Sequence, residues 1–326
     1  MLTRRALLAG LSACAAWPRD AAAKPAVVLH AADVHVDRYP TVEAVRHIGR
    51  VLERETGGRL GIHVYHSGQL GREGDTVELA RHGAIELTRV FLGAVNNAFP
   101  LTRILGLPYV FDSTEHMRRA VDGPVGAEVL ESFSARGLVG LAVYDSGVRC
   151  FYNTRRPVVV PGDLAGLKLR VPPSDLFIGL VHALGGNPTP LPYGEVFTSL
   201  QTRLIDGAEN NIRSFHSSRQ FEVARYWSRT VHSYAPDLLL MSRRAFDALA
   251  PGERELVREA ARESVGVMRS LWDRSVTEAD AAVRAAGVAI NDVDLGAFRQ
   301  AARPELDRYL REPELARLHA AIRAGA

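Results

Sequence analysis

Two short segments of the chain carry polar groups of the kind that hold a small carboxylate. Residues 166–172 (GLKLRVP) put Arg170 inside an apolar, strand-like run, and residues 204–211 (LIDGAENN) end in Asn210 and Asn211. An arginine can donate two parallel hydrogen bonds to a carboxylate, and an asparagine amide can add another. A buried arginine must be compensated by an anion or by acceptors, so Arg170 predicts either a ligand site or a structural pair with an Asp or Glu.

A second unusual cation, Arg89, lies in the otherwise apolar strand-like run 87–92. A cation near a carboxylate site would suit an especially oxygen-rich ligand, which makes Arg89 a candidate binding residue. The alternative is a buried ion pair with Glu86 or Glu73, because an apolar strand offers a charge little hydration. The sequence leaves both interpretations open.

Three weaker candidates for ligand contacts lie at element ends. His35 follows the first predicted strand, and Glu73 opens a helix after a glycine-rich loop. The alternatives are a surface histidine and a helix N-terminal carboxylate favoured by the helix dipole. Asp145 could accept hydrogen bonds from ligand hydroxyls or orient Arg149, which on sequence alone is a strand-end surface arginine.

An alternation of strands and helices positions these residues. Strand, helix and strand over residues 26–64 predict the start of a parallel α/β layer. Residues 150–232 repeat the alternation and predict a second lobe, whereas residues 24–149 and about 233–326 supply the first lobe and the C-terminal helices. Long helical patterns run over residues 243–286 and 294–324. We therefore expect an α/β fold of two lobes joined by short hinge strands.

Composition and motifs argue against several functions. The formal net charge of +3 rests on dispersed arginines, since lysine occurs only at Lys24 and Lys168, and no basic stripe with aromatic partners indicates nucleic-acid binding. The sequence has no Walker loop, HExxH, GxSxG elbow or CxxC pair. His63 and His66 are spaced to point to opposite faces of a predicted strand, which argues against a metal site. We expect no cofactor, no metal and no catalytic residue.

The N-terminus has the pattern of an export signal. A charged start with Arg4 and Arg5, a short apolar run and small residues at 21–23 predict a signal peptide over residues 1–23. The paired arginines allow twin-arginine export as well as the general route. Cys14, in the run LSAC, offers lipoprotein processing as an alternative. Removing the leader leaves only Cys150, so an intramolecular disulfide is excluded.

Residues 166–172 and 204–211, together with residues 191–197 (LPYGEVF), resemble the signature of the DctP-type solute receptors of TRAP (tripartite ATP-independent periplasmic) transporters. The resemblance covers essentially the mature chain. It implies a periplasmic binding protein of the Venus-flytrap type, with two α/β lobes, a hinge and a long helix that spans both lobes. It also implies a monomer that binds a carboxylate without chemistry and delivers it to membrane permease subunits.

The resemblance assigns roles to four residues. Arg170 matches the arginine that holds the ligand carboxylate bidentately, and Arg149 stands where the family has a second clamping arginine. Asn210 matches a ligand-contacting asparagine, and Tyr193 matches an aromatic that lines the pocket. The expected ligand-binding residues are therefore Arg170, Arg149, Asn210, Tyr193, Arg89, His35, Glu73 and Asp145.

A few residues resemble one branch of this family, which takes up hexuronates such as glucuronate and galacturonate. They are residues 87–90 (LTRV), Asn96, Asn97 and residues 144–147 (YDSG). We therefore expect a sugar acid as ligand. A C4-dicarboxylate or another small organic acid is the alternative within the class.

Two alternatives of other kinds stay open. One is an exported sugar-acid lyase or isomerase that anchors its substrate on Arg170 and uses His35 or Tyr193 as the acid–base group. It would need a base within reach of a substrate C–H bond, and the sequence assigns none. The other is a sensor receptor that hands its ligand to a kinase ectodomain.

Overall fold

The computed structural model describes residues 26–325. The predicted signal peptide over residues 1–23, with its paired arginines and Cys14, lies outside the described residues. Within 26–325, no helix is long and apolar enough to cross a membrane. Cys150 is buried, and burial raises the pKa of its thiol to about 12, so that it is an inert core residue.

Strands and helices alternate along the described chain. The strands are β1 (Val27–Ala32), β2 (Leu60–Tyr65), β3 (Leu87–Phe91), β4 (Leu138–Tyr144), β5 (Arg149–Asn153), β6 (Lys168–Val171), β7 (Asn187–Pro190), β8 (Gly207–Asn210), β9 (Tyr226–Ser233), β10 (Asp237–Ser242) and β11 (Ala289–Asn291). The α-helices are α1 (Pro40–Glu55), α2 (Glu73–Arg81), α3 (Thr114–Asp122), α4 (Pro124–Glu131), α5 (Asp175–Ala183), α6 (Val196–Gln201), α7 (Ile212–Ser217), α8 (Arg243–Ala248), α9 (Pro251–Ala285), α10 (Leu295–Tyr309) and α11 (Pro313–Ala324).

The first sheet has the strand order β2-β1-β3-β10-β4. β1 pairs in parallel with β2 and β3, as the strand–helix–strand pattern predicted, and α1 packs against β2. β10 enters from the second sheet and runs antiparallel to β3 and β4. Its register pairs Asp237 with Phe91 and Leu239 with Arg89. Two charged residues distant in sequence thus become neighbours in the middle of this sheet.

The second sheet has the order β11-β9-β5-β8-β6-β7. β5, β8 and β6 are adjacent, so that Arg149, Asn210 and Arg170 lie on neighbouring strands. β11 pairs in parallel with β9. Residues 289–291 therefore belong with the second sheet, whereas the division made from sequence had placed them with the first lobe and the C-terminal helices.

Helix α9 runs for 35 residues and connects the two lobes. It packs against α1 on the first lobe and against α7 on the second. The chain crosses between the sheets through residues 145–148, from β4 to β5, and through residues 234–236, from β9 to β10. These short connections form the hinge that the sequence predicted, although they lie between strands and are not strands themselves.

Each of the two long C-terminal helical patterns is interrupted. The sequence predicted one helix over residues 243–286 and one over residues 294–324, but α8 ends before Pro251 and α10 ends before Pro313. A proline lacks the amide hydrogen of a helix interior, and it disfavours helical geometry in the residue before it. Both prolines occupy the first position of the helix that follows.

Candidate functional site

A small pocket lies between the two sheets and receives side chains from both, and we call it the interlobe pocket. It is lined by Val34, His35, Glu73, Phe91, Ser146, Arg149, Arg170, Tyr193, Asn210, Ser214 and Asp237. Its volume is about 20 Å³. It shares Val34, Glu73, Arg170 and Tyr193 with a larger outer cleft of about 540 Å³. Six of the eight residues predicted from sequence meet in the interlobe pocket, whereas Arg89 and Asp145 do not line it.

Arg170 is a buried cation without a protein counter-ion. It is 4% exposed, and its Nε donates to the backbone oxygen of Leu191 at 2.8 Å. Within residues 26–325 no carboxylate lies at ion-pair distance from its guanidinium, and burial lowers its pKa more than the neighbouring charges of Glu209 and Glu73 raise it. The structural ion pair that the sequence left open is therefore not formed. Arg170 leaves its terminal nitrogens for an anion in the pocket.

Arg149 differs because its charge is already compensated. Its Nε and Nη2 donate to the two carboxylate oxygens of Glu209 at 2.5 and 2.7 Å, and its guanidinium lies 4.3 Å from the Phe91 ring centre. Burial would raise the pKa of Glu209, but Arg149 and a hydrogen bond from His232 outweigh it and hold that pKa at about 2. Sequence reasoning did not single out Glu209, although a carboxylate in the short strand before Asn210 was a signal.

Asn210 is oriented by its neighbours. Its Oδ1 accepts from Arg149 Nη1 at 3.1 Å and from the backbone amide of Asn211 at 2.8 Å. Its Nδ2 is therefore the group left to donate into the pocket. Because Arg149, Arg170 and Asn210 all come from the second sheet, we call these three residues the donor wall.

The opposite side of the pocket is acidic. Asp237, at the start of β10, and Glu73, at the start of α2, come from the first lobe, and we call these two residues the acceptor wall. Glu73 Oε1 accepts from the backbone amide of Phe91 at 2.8 Å. Asp237 is fully buried, and neither of its carboxylate oxygens accepts a hydrogen bond from the described residues.

Arg89 lies behind the acceptor wall. Its side chain has no exposed surface, and it pairs with Asp33, with Glu73 at 3.2 Å and with Asp237 at 3.2 Å. Of the two partners weighed from sequence, Glu73 is present, but Glu86 instead bonds His30. Arg89 thus positions carboxylates and does not reach the pocket surface. Asp237 was missed, although an acidic residue directly before the apolar run of β10 was a visible signal.

His35 and Tyr193 form the aromatic side of the pocket. The His35 ring stacks on Tyr39 with ring centres 3.8 Å apart and meets the edge of Tyr193 at 5.2 Å. Burial and the charge of Arg89 hold the pKa of His35 well below its usual range, so that the ring is neutral. Its Nδ1 is buried and has no hydrogen-bond partner in the described part of the chain. His35 is therefore a pocket residue and not the surface histidine of the alternative interpretation.

Asp145 belongs to the hinge and not to the pocket. One of its oxygens accepts from Arg118 of α3 at 2.7 Å, and the other lies 3.4 Å from Arg269 of α9. Neither of the roles considered from sequence, contact with ligand hydroxyls or orientation of Arg149, matches these partners. Asp145 instead ties the first hinge strand to two helices.

Several polar contacts join the lobes around the pocket. Tyr39 donates to or accepts from Ser214 at 2.9 Å, and Arg72 pairs with Glu195 at 2.7 Å across the outer cleft. A cavity of 20 Å³ has room for about one water molecule. The lobes are therefore in a closed arrangement. In the described part of the chain, no cluster of three or more potential ligands could hold a metal ion.

Known proteins are similar to this chain in both sequence and architecture. The family profile of bacterial extracellular solute-binding protein family 7 (DctP) matches residues 31–312. A solute-binding protein of Chromohalobacter salexigens is 36% identical over 285 residues, which are 87% of this chain and 85% of that protein.

Two solved structures of TRAP periplasmic solute-binding proteins each cover 91% of this chain with a TM-score of 0.89. The one from Bradyrhizobium sp. BTAi1, in complex with α/β-D-galacturonate, is 45% identical and is covered over 99% of its length. The one from Chromohalobacter salexigens, with bound D-glucuronate, is 35% identical and is covered over 100%. The family match and the shared two-lobed fold show that this chain belongs to bacterial extracellular solute-binding protein family 7, the DctP family.

Proposed function

We propose that this protein is the solute receptor of a TRAP transporter and that it binds a hexuronate, of the glucuronate or galacturonate type, through the ligand carboxylate. The observation that carries the proposal is Arg170, a buried guanidinium that forms no ion pair with a carboxylate of residues 26–325, in a pocket built by both lobes. A ligand carboxylate supplies the missing anion and can accept two parallel hydrogen bonds. The similar receptors solved with galacturonate and glucuronate support this ligand class.

Binding follows from the two walls of the pocket. In the open state the carboxylate meets the donor wall, where Arg170 supplies charge and Asn210 an amide. Closure of the lobes onto the ligand, around a cavity larger than the 20 Å³ of the ligand-free pocket, then brings Glu73 and Asp237 to the ligand hydroxyls and places Tyr193 beside the sugar ring. Only a ligand that contacts both walls binds the closed state better than the open state, and this difference in affinity drives closure.

The cellular setting is part of the same proposal. Export by the N-terminal signal delivers the receptor to the periplasm, in keeping with the extracellular solute-binding family. There it acts as a monomer, without a cofactor, and hands its ligand to the membrane permease subunits. It is a receptor and not an enzyme, since its family and its solved neighbours are solute-binding proteins.

A thermal-shift screen of the mature protein tests this function. The panel contains D-glucuronate, D-galacturonate, aldonates, small dicarboxylates, sialic acid and amino acids. A ligand that binds only the folded state raises the unfolding midpoint by mass action. We expect hexuronates to raise it, Arg170→Ala to abolish that shift, and the control Arg155→Ala to keep it, because Arg155 is exposed and pairs with Asp206 outside the pocket.

Three results would contradict the proposal. A shift with dicarboxylates alone would refute the hexuronate assignment. A hexuronate shift that persists in Arg170→Ala would refute the site. Consumption of the hexuronate, followed by mass spectrometry of the incubated ligand, would favour the lyase or isomerase alternative.

A further inference from the structure

The carboxylates at and behind the acceptor wall outnumber the cations that pair with them. Asp33, Glu73 and Asp237 converge on a single guanidinium, that of Arg89. Asp33 uses its oxygens within the fold, since it accepts from the backbone amide of His35 and from the Thr41 hydroxyl, both at 2.8 Å. Glu73 and Asp237 are the two members of this group that also line the pocket.

Asp237 is the acceptor with the least support from the protein. It is 0% exposed, and Ser146 and Arg89 are the donor side chains beside it, but neither forms a well-aligned hydrogen bond with its oxygens within residues 26–325. Its nearest cation, Arg89 at 3.2 Å, lies on the neighbouring strand β3. A buried carboxylate in this condition is stabilised by donors, and the pocket is the side from which a ligand can supply them.

Of the two arginines in the donor wall, only Arg170 has a positive charge available to a ligand. Arg149 is neutralised by Glu209, whereas Arg170 forms no ion pair with any carboxylate of residues 26–325. Neither arginine forms an ion pair with Glu73 or Asp237 in the described chain, so that the two walls stay separated across the pocket. Arg170 is thus the cation available to one ligand carboxylate, whereas Glu73 and Asp237 can only accept hydrogen bonds when they are ionised.

From this geometry we infer that Asp237, supported by Glu73, sets the ligand class of the pocket. Asp237 requires hydroxyl donors at the end of the ligand that faces the first sheet, and it excludes acids with a second carboxylate at that end. The inference rests on the proposed function, because it concerns the same site and the same bound carboxylate. A second carboxylate would meet like charges in a buried, weakly screened site, where such a juxtaposition is strongly unfavourable.

The test compares uronates with the aldarates that carry the same hydroxyl stereochemistry. D-galacturonate is paired with galactarate, and D-glucuronate with D-glucarate. Each is titrated into the full mature protein by calorimetry at about pH 8.5, above the raised pKa of Asp237 of about 7, so that this carboxylate is charged. We expect the wild type to bind the uronate at least about 100-fold more tightly than the aldarate, as several kcal/mol of like-charge repulsion implies. Uronates close into rings and aldarates do not, but this difference in shape is common to wild type and variants.

The decisive quantity is therefore the change in that ratio. Asp237→Asn removes the charge and keeps an acceptor, so we expect uronate affinity to fall about 10-fold and the ratio to drop below about 10. Glu73→Gln should lower the ratio in the same direction, and it serves if Asp237→Asn does not fold. Asp206→Asn is the matched control, because Asp206 is a 5% exposed carboxylate that pairs with Arg155 outside the pocket.

Each other outcome has a defined meaning. A ratio that stays constant in both pocket variants, or an aldarate affinity that stays undetectable in them, overturns the inference and leaves the receptor function intact. Equal affinity of the wild type for uronate and aldarate does the same. Failure of the wild type to bind any hexuronate contradicts the proposed function, and the inference then falls with it.

Discussion

The two arginines of the donor wall should respond in opposite ways to the same substitution. Arg149→Met leaves Glu209 as a fully buried carboxylate without its main partner. Removing one member of a buried ion pair costs about 3–5 kcal/mol. Arg170→Met removes a buried cation that forms no ion pair with residues 26–325 and loses one hydrogen bond to Leu191, worth about 1 kcal/mol. We therefore expect Arg149→Met to have a much lower free energy of unfolding than the wild type. The free energy of unfolding of Arg170→Met should lie within about 1 kcal/mol of the wild-type value or exceed it.

The substitution Arg170→Met should affect ligand affinity much more than it affects stability. Two hydrogen bonds between charged groups contribute about 1.5–3 kcal/mol each, so their loss should weaken hexuronate binding by about 10²- to 10⁴-fold. Urea unfolding, followed by tryptophan fluorescence with and without D-galacturonate, measures both effects in one experiment. A loss of 3 kcal/mol or more in ligand-free Arg170→Met would show that Arg170 is structural. A full ligand-induced shift in that variant would refute its role as the carboxylate anchor.

Three further predictions concern stability and closure. Burial raises the pKa of Asp237 from 3.8 to about 7, so the folded state binds a proton that the unfolded state releases between these values. The buried, neutral His35 and His232 have lowered pKa values and act in the opposite direction in wild type and variant alike. The urea midpoint of the ligand-free wild type should therefore rise relative to that of Asp237→Asn as pH is lowered from 8 to 5.5, and a constant difference between the two would contradict this. Gly147→Ala should lower the free energy of unfolding by about 1–3 kcal/mol, because Gly147 has φ +66° and a Cβ there would lie 2.8 Å from Trp272. The control Gly252→Ala, with open space around the added Cβ, should not lower it. Equal urea midpoints for the two variants would contradict this prediction. Arg72→Ala removes an exposed ion pair across the outer cleft and should weaken ligand binding less than about fivefold, and this effect should disappear in 0.5 M salt. A larger or salt-independent loss of affinity, measured by calorimetry, would show that Arg72 contacts the ligand directly.

Local patterns in the sequence were enough for much of the fold. The period of α1 and the apolar runs of β1 and β4 depend on neighbouring residues, and they predicted the elements correctly. The prolines at 251 and 313 were also visible, and weighing them would have divided the two long C-terminal helices. The parallel pairing of β11 with β9 depends instead on the path of α9, which local patterns do not encode.

Those site residues that lie within a contiguous sequence motif could be predicted. Arg170, Asn210 and Tyr193 lie within short segments that resemble the family signature, and the structure places all three in the interlobe pocket. Arg89 and Asp237 could not be paired from sequence, because their contact depends on the register of β10 against β3. A charge in an apolar strand signals that a partner exists, but only the sheet topology identifies the partner.

The most direct test of the account is a crystal structure of the mature protein with bound D-galacturonate or D-glucuronate. We predict that the ligand carboxylate accepts two hydrogen bonds from the terminal nitrogens of Arg170 and that ligand hydroxyls donate to Asp237 and Glu73 from the other side. Arg89 should stay paired behind the acceptor wall. A carboxylate bound elsewhere, or a ligand turned so that its carboxylate faces the first sheet, would contradict the account.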